Sequence, residues 1–306
     1  MYAGFDLGGS HLKYGLLDRS LHVIHEGVSP SPKDKEGIVR LIETCCKRMK
    51  EETGCRIEAG GIGLPGLYDQ EEDILILSPH LPDLNGISIT ADLKSHLGFP
   101  LAADNEANLA AYGEFRAGAG VGVSSLVLIT VGTGLGTGVI LNGEIWRGAG
   151  FAGEMGHIPL GYEDILCPCA SQGCLETEVS AGAILRIYRK LSGETGPLTF
   201  TDVAEAASGG EPSAVQSFQQ ADRCLGLGIA IVINLIHPEK ILLGGGVMES
   251  GDLLLDSARE EAARRSFPPL FRRMHIEKSG LGNRAGFIGA ALRAADHLGS
   301  GQGTGS

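Results

Sequence analysis

Basic residues are in short supply: 25 lysines and arginines stand against 37 aspartates and glutamates, for a formal net charge of −12 over 306 residues. A nucleic-acid backbone is held by clustered cations, so this balance excludes nucleic acid as a partner. Long apolar runs are missing as well. No stretch of ~18 apolar residues occurs, which removes a spanning helix and a membrane partner. The opening residues MYAGFDLGG carry neither the basic nor the apolar region of a secretory leader. The expected location is the cytoplasm. Also absent are the GxxxxGK[ST] phosphate loop and a well-placed GxGxxG, so a nucleotide could not rest on one loop alone.

What is present describes a folded chain of two domains. Hydrophobic residues make up 43% and charged residues 20%, ordinary shares for a globular protein, and the length suits two cores rather than one. Glycine, at 47 residues, is in excess, being about twice its usual share. The segment Tyr2 to Asp6, the pair Gly8-Gly9 and the run Leu12 to Leu17 predict a β-hairpin. Apolar spacing predicts a helix over Lys33 to Thr53, short strands at Ala59 to Leu64 and Leu101 to Ala103, and a helix over Asn105 to Arg116. Alternation of this kind is that of an α/β domain.

The glycine-rich stretch Ala117 to Gly122 reads as a linker, after which the rhythm of the N-terminus recurs. DLGGSHLKYGLL and TVGTGLGTGVIL are both strand, glycine turn and strand, as an internal duplication would give. Asn142-Gly143 predicts a type I′ turn. Ser213 to His237 is helical, Lys240 to Leu243 is a strand, and Gly244-Gly245-Gly246 forms a third glycine turn. The last helix, Ala285 to Leu298, carries small residues suited to close packing, and Gly299 to Ser306 is expected to fray. The expected domains are 1–116, completed by the helix over 285–298, and 117–284, containing a metal loop at 157–174.

Three constellations carry chemistry. Glycine turns that follow apolar strands leave backbone N–H groups free to surround phosphate oxygens, and Asp6, at a strand end beside Gly8-Gly9, suits a Mg²⁺-linked role. Alone, each turn is only a turn, and Asp6 is a residue that caps one. The second constellation is GEMGHIPLGYEDILCPCASQGCLE. Seven cysteines is an odd number, better read in a cytosolic chain as thiols or metal ligands than as disulfides. Cys167, Cys169 and Cys174 crowd one loop, with His157 ten residues earlier. They make a closed Cys3His set for a structural zinc ion, while Cys45, Cys46, Cys55 and Cys224 read as structural thiols. Such a metal would fix Glu154 and Glu176, whose carboxylates can accept from vicinal hydroxyls, as a sugar presents.

The third constellation is ADNEANLAAYGE. Asp104, Asn105 and Glu106 are residue types that cap a helix without any chemistry. The alternative is that one carboxylate takes the proton of an attacking hydroxyl while Asn105 holds a neighbouring hydroxyl.

Taken together, these segments resemble the ROK family (repressor, open reading frame, kinase). DLGGSHLKYGLLD is similar to its DxGGTxxxxGLVD segment, GIGLPGLYD to GxPGxVD, and GEMGHIPL with CPCASQGCLE to its ExGH and CxCGxxGCxE signature. The resemblance implies the two-lobe actin-like, Hsp70-like ribonuclease H fold, with an inter-lobe cleft for nucleotide and sugar, and a homodimer. It implies transfer of phosphate from ATP, with Mg²⁺, to a hexose at the 6-hydroxyl. Gly66, Asn105, Glu154, His157 and Glu176 match its sugar-contacting positions, and His157, Cys167, Cys169 and Cys174 its zinc ligands. Asp6, Gly8, Gly9, Ser10, Lys13, Gly132, Thr133 and Gly134 fall on its phosphate segments, with Gly244, Gly245 and Gly246 near the adenosine.

Departures from the pattern bear on activity. Ser10 replaces a threonine and keeps the hydroxyl. Ala170 replaces a loop glycine, which is tolerated if its backbone has φ below zero. Where the kinases usually show NDAN this chain has NEAN, so Glu106 stands at the place of the catalytic aspartate, with Asp104 as a second candidate base. An extra methylene displaces the carboxylate by over ~1 Å, enough to cost ~100-fold in rate. A sugar-binding protein with weak or no kinase activity therefore stands beside the kinase reading. A sugar-responsive regulator lacking its DNA-binding region is the further alternative, since family repressors carry that region before the first phosphate segment and here the segment begins at Gly4.

Overall fold

The computed structural model describes residues 1–160, 163–249 and 253–301, and these form two compact units. The first comprises Met1–Val121, Ile145–Ala152 and the chain from Asn283 onward; the second comprises Gly122–Glu144 and Gly153–Gly282.

In the first unit β1 (Tyr2–Leu7), β2 (His11–Leu17) and β3 (Val23–Pro30) lead to α1 (Lys35–Thr53). Then come β4 (Ala59–Leu64), a small hairpin of β5 (Leu67–Asp69) and β6 (Ile74–Leu77), α2 (Ile89–Leu97), β7 (Leu101–Asn105) and α3 (Glu106–Ala117). The predicted hairpin is β1–β2, in antiparallel register. Helix α1 begins where Asp34 accepts the Gly37 amide at 2.8 Å and ends at Gly54, whose φ of 67° stops the helix.

The second unit holds β8 (Leu126–Val131), β9 (Leu135–Leu141) and β10 (Glu144–Ile145), then α4 (Glu176–Val179), α5 (Ala181–Ser192), α6 (Phe200–Ser208) and α7 (Pro212–Leu235). After these come β11 (Lys240–Gly244), α8 (Gly246–Glu249), α9 (Leu253–Arg265), α10 (Pro268–Phe271) and β12 (His275–Lys278). Asn142 and Gly143, with φ of 53° and 81°, make the primed turn their sequence predicts. The chain then returns to the first unit with α11 (Ala285–Gly301). The expected fraying of Gly299 to Ser306 lies outside the described residues for 302–306.

The two five-stranded sheets share one plan. Their orders are β3-β2-β1-β4-β7 and β10-β9-β8-β11-β12. In each, the first strand pairs antiparallel with the second and parallel with the fourth in its order, and the parallel ladder continues to the edge. The recurrence seen in sequence is thus a recurrence of topology.

Small residues let α11 lie directly on the first sheet. A Cβ on Gly4 would overlap the Phe287 carbonyl, one on Gly61 the Ala290 carbonyl, and one on Gly289 the Leu109 carbonyl of α3. The opposite face of the sheet buries Phe5, Leu7 and Leu12 with Ile38 and Ile42 of α1. Each unit therefore has its own apolar core. Cys45, Cys46 and Cys224 are buried within these cores, and burial pushes the Cys46 and Cys224 thiols up to about 12. Among the described residues no helix is long and apolar enough to cross a membrane.

The stretch Ile145–Ala152, which sequence reading places in the 117–284 domain, packs with the first unit. The reason is electrostatic in part: its Arg147 pairs with Asp104 at the end of β7.

Candidate functional site

In the first unit the parallel ladder aligns the carboxyl ends of three strands. Asp6 of β1 lies opposite Gly63 of β4, and Gly63 opposite Asp104 of β7; Leu64 faces Asn105. Ligands of open α/β sheets bind at this end of the strands. The β1–β2 turn is closed by a hydrogen bond from the Gly8 amide to the His11 carbonyl at 2.9 Å. A Cβ on Gly9 would come within 2.9 Å of the Cβ of His80, and Lys33 donates to the Gly9 carbonyl. Neither His80 nor Lys33 was singled out from sequence, because both reach the turn from distant loops. Ser10 is exposed. Lys13 donates to Asn283 Oδ1 at 2.6 Å. Burial pushes the Asp6 carboxyl up and the Lys13 charge pulls it down, with a net rise.

Asn105 is the N-cap of α3. Its Oδ1 accepts from the amides of Ala107 at 2.8 Å and Asn108 at 3.2 Å, and its Nδ2 donates to the Gly66 carbonyl at 2.9 Å. One side chain thus joins two of the predicted positions, Gly66 and Asn105, and retains one free N–H. Gly66 has φ of 105°, and a Cβ there would also overlap the Leu77 carbonyl. Glu106 is the first residue of α3 and half-buried, and a Cβ on Gly63 would sit 3.1 Å from its Cα.

Asp104 has a different environment from Glu106. Only 2% exposed, it accepts from the Asn105 amide at 2.8 Å, from Asn108 Nδ2 at 3.1 Å and from the Arg147 guanidinium. Its lone pairs are committed to the Asn105 amide, the Asn108 side chain and the Arg147 guanidinium at the start of α3. Arg147 was missed in sequence. The one available signal was an isolated cation in the glycine-rich run WRGAGFAGE.

In the second unit the ends of β8 and β11 carry the other two glycine turns. Gly244 lies opposite Thr130, and a Cβ on Gly245, whose φ is 89°, would overlap the Val131 backbone. Gly132 and Gly246 face open space, while Thr133 is exposed. Gly153, Glu154 and the short helical turn Met155–His157 run beside β9, where a Cβ on Gly156 would meet the Leu135 carbonyl at 2.6 Å.

The loop that follows folds back through backbone hydrogen bonds from Leu160 to Gly173 at 2.9 Å, Gly173 to Ile165 at 3.0 Å and Cys167 to Ser171 at 2.8 Å. This brings His157, Cys167, Cys169 and Cys174 together, with their ligand atoms within 4.8 Å of one another. Cys167 Sγ is 3.6 Å from His157 Nδ1, and Cys169 Sγ is 3.7 Å from Cys174 Sγ. A tetrahedral zinc with the usual bond lengths requires edges of ~3.6 Å between sulfur and nitrogen and ~3.8 Å between sulfurs. The donor set fits such an ion. Ala170, however, has φ of 70°, so the condition under which alanine replaces glycine without strain is not met. The loop keeps a left-handed conformation because the Ala170 amide closes onto the Cys167 carbonyl at 2.9 Å.

His157 turns its other ring nitrogen, Nε2, toward Glu154 at 3.8 Å. Burial pushes the Glu154 carboxyl up, against the pull of His157 and with a further push from Glu176. Glu176 Oε2 accepts the Leu135 amide at 2.8 Å, and its Oε1 is 3.8 Å from Cys167 Sγ. The structure therefore groups Glu154, His157 and Glu176 around the cysteine loop beside the Gly132–Gly134 turn.

Two sheets of one topology, each with glycine turns at its strand ends, define the actin-like fold class. The model of the ROK family matches residues 2–297, and the chain belongs to that family. It is 32% identical to a glucokinase of Streptomyces coelicolor over 94% of this chain and 95% of the relative. It is equally 32% identical to a xylose repressor of Caldicellulosiruptor bescii, over 96% of this chain and 78% of that protein. Among solved structures, a ROK family glucokinase from Streptomyces griseus in complex with glucose and AMPPNP superposes with a TM-score of 0.86 at 32% identity, covering 96% of this chain and 99% of that one. The fold is the two-lobe actin-like sugar-kinase fold.

Proposed function

We propose that the protein is a hexose kinase that transfers the γ-phosphoryl group of ATP to the sugar 6-hydroxyl. The observation that supports this most is the register of Asp6, Gly63 and Asp104, which sets a carboxylate and glycine turn beside the start of α3 at Asn105 and Glu106. In this reading Glu106 accepts the proton of the attacking hydroxyl. Asn105 donates its remaining N–H to a neighbouring hydroxyl, and Gly66 lies alongside. Glu154, His157 and Glu176 hold the other hydroxyls, with carboxylates accepting pairs of hydrogen bonds. The amides of Gly9, Ser10, Thr133 and Gly134 receive phosphate oxygens, on turns that the Gly8 and Gly132 amides close internally, with Lys13 nearby, and Gly244, Gly245 and Gly246 border the adenosine. Asp6 would orient Mg²⁺ through its waters; that ion neutralises phosphate charge when bound. His157, Cys167, Cys169 and Cys174 would hold a structural zinc ion. A homodimer in the cytoplasm completes the proposal.

A second reading is favoured by one specific residue. Glu106 in place of aspartate allows a protein that binds sugar and transfers phosphate slowly or not at all. Steady-state phosphorylation of a hexose panel with Mg-ATP, run on the wild type and Glu106→Gln, separates the two. Sugar-dependent turnover that falls at least about a thousandfold in Glu106→Gln supports the kinase with glutamate as base. Hexose binding without turnover in the wild type overturns it.

A further inference from the structure

The metal loop and the Gly132–Gly134 turn are joined by one side chain. Glu176 stands two residues after the ligand Cys174 and at the start of α4. Its Oε2 accepts the Leu135 amide at 2.8 Å, immediately after the turn. A Cβ on Gly134 would lie 2.5 Å from that same oxygen, so glycine is needed for the carboxylate to reach. A second tie comes from the same stretch: the Ala181 amide donates to the Gly132 carbonyl at 2.8 Å. Within the turn, the Gly132 amide donates to the Gly134 carbonyl at 2.9 Å. The Leu175 amide in turn donates to the Ile158 carbonyl at 2.9 Å, which fixes the chain between His157 and Cys174.

The turn has little else to define it. Gly132 and Gly134 lack Cβ atoms, and a Cβ on Gly132 would meet nothing within 4 Å. Glycine backbone is the most costly to order, so the turn depends on partners outside it for its shape.

We infer that Glu176 is a positioning residue: it transmits the order of the metal loop to the Gly132–Gly134 turn, so that holding the metal also holds the turn in its phosphate-receiving shape. The nucleotide half of this inference rests on the reading given above; the coupling of loop to turn does not. Removal of the metal frees Cys174, and with it the anchor of Glu176 two residues on. The Leu135 amide then loses its acceptor. Protection of that amide should fall by about tenfold or more, as expected for a hydrogen bond to a charged group.

The test is hydrogen–deuterium exchange of the peptide spanning residues 131–136 in zinc-loaded and chelator-stripped full-length protein, with ATP affinity measured on both. Faster exchange at Leu135 on stripping, with far-ultraviolet circular dichroism retained and ATP affinity lowered about tenfold, is the expected result. Glu176→Ala at full zinc occupancy should give the same exchange and the same rise in the KM for ATP. Glu176→Gln, whose amide oxygen still accepts, should restore most of the protection. Gly134→Ala, which leaves every metal ligand intact, should also expose Leu135. Unchanged exchange at Leu135 in stripped protein, or slow exchange in zinc-loaded Glu176→Ala, overturns the coupling. Zinc-loaded wild type that shows the exchange effect but binds no ATP overturns the nucleotide reading and leaves the clasp intact.

Discussion

The guanidinium of Arg147 donates from both Nε and Nη2 to Oδ2 of Asp104, a carboxylate that also accepts the Asn105 amide and so sets the first turn of α3. The pair is buried on one side only: the Asp104 side chain is 3% exposed and that of Arg147 19%. Removing the cation leaves a buried charge without compensation, which costs about 3–5 kcal/mol. Arg147→Ala should therefore lower stability by about that amount in urea unfolding and reduce kcat by displacing Glu106. Adding Asp104→Asn to the same protein should recover part of the stability, because the stranded charge is gone.

Glu106→Asp shortens the candidate base by one methylene. Kinases of the resemblance carry aspartate here, so the expected outcome is a kcat raised about tenfold with the KM for sugar nearly constant. A fall in kcat would show instead that the site is built around the longer side chain.

Ala170 pays for a left-handed backbone that glycine occupies freely. Ala170→Gly should stabilise the protein by about 1 kcal/mol in thermal unfolding, with metal content unchanged.

Asp222 lies on α7, 3% exposed, with Oδ1 lacking a hydrogen-bond partner, and burial raises its pKa to about 8 despite the Ser257 hydroxyl. The folded protein keeps a proton that the unfolded chain releases near the ordinary value of 3.8. Between these two values the unfolded state binds fewer protons, so this group makes stability fall as pH rises, by a few kcal/mol at about pH 8. Asp222→Asn, neutral throughout, should unfold at a higher temperature than the wild type at pH 8.5. The gap should narrow markedly at pH 5 and close only below the unfolded value of 3.8, and an equal gap at pH 8.5 and pH 5 would reject the account.

The parts legible in sequence were those whose determinants lie close together along the chain. Asn142-Gly143 specifies its turn locally, and three cysteines in eight positions, Cys167 to Cys174, can hardly avoid one another. Asp34 and Asn105 act as caps through amides only two or three residues away. What escaped was pairing over distance. Arg147 is separated from Asp104 by 43 positions, and Glu176 from Leu135 by 41, and neither partner carries a mark of the other. The sign of φ at Ala170 escaped for a different reason: it is set by closure of the loop onto Cys167, which the residue type itself opposes.

The placement of α11 has a consequence for synthesis. Gly4 and Gly61 accept this helix against the first sheet, yet it begins at Ala285. A ribosome that has delivered β1, β2, β4 and β7 must still make the whole second unit before the cover for that sheet face exists. The nascent chain therefore carries an unfinished surface through most of its translation, and closure of the first unit is among the last events of its folding.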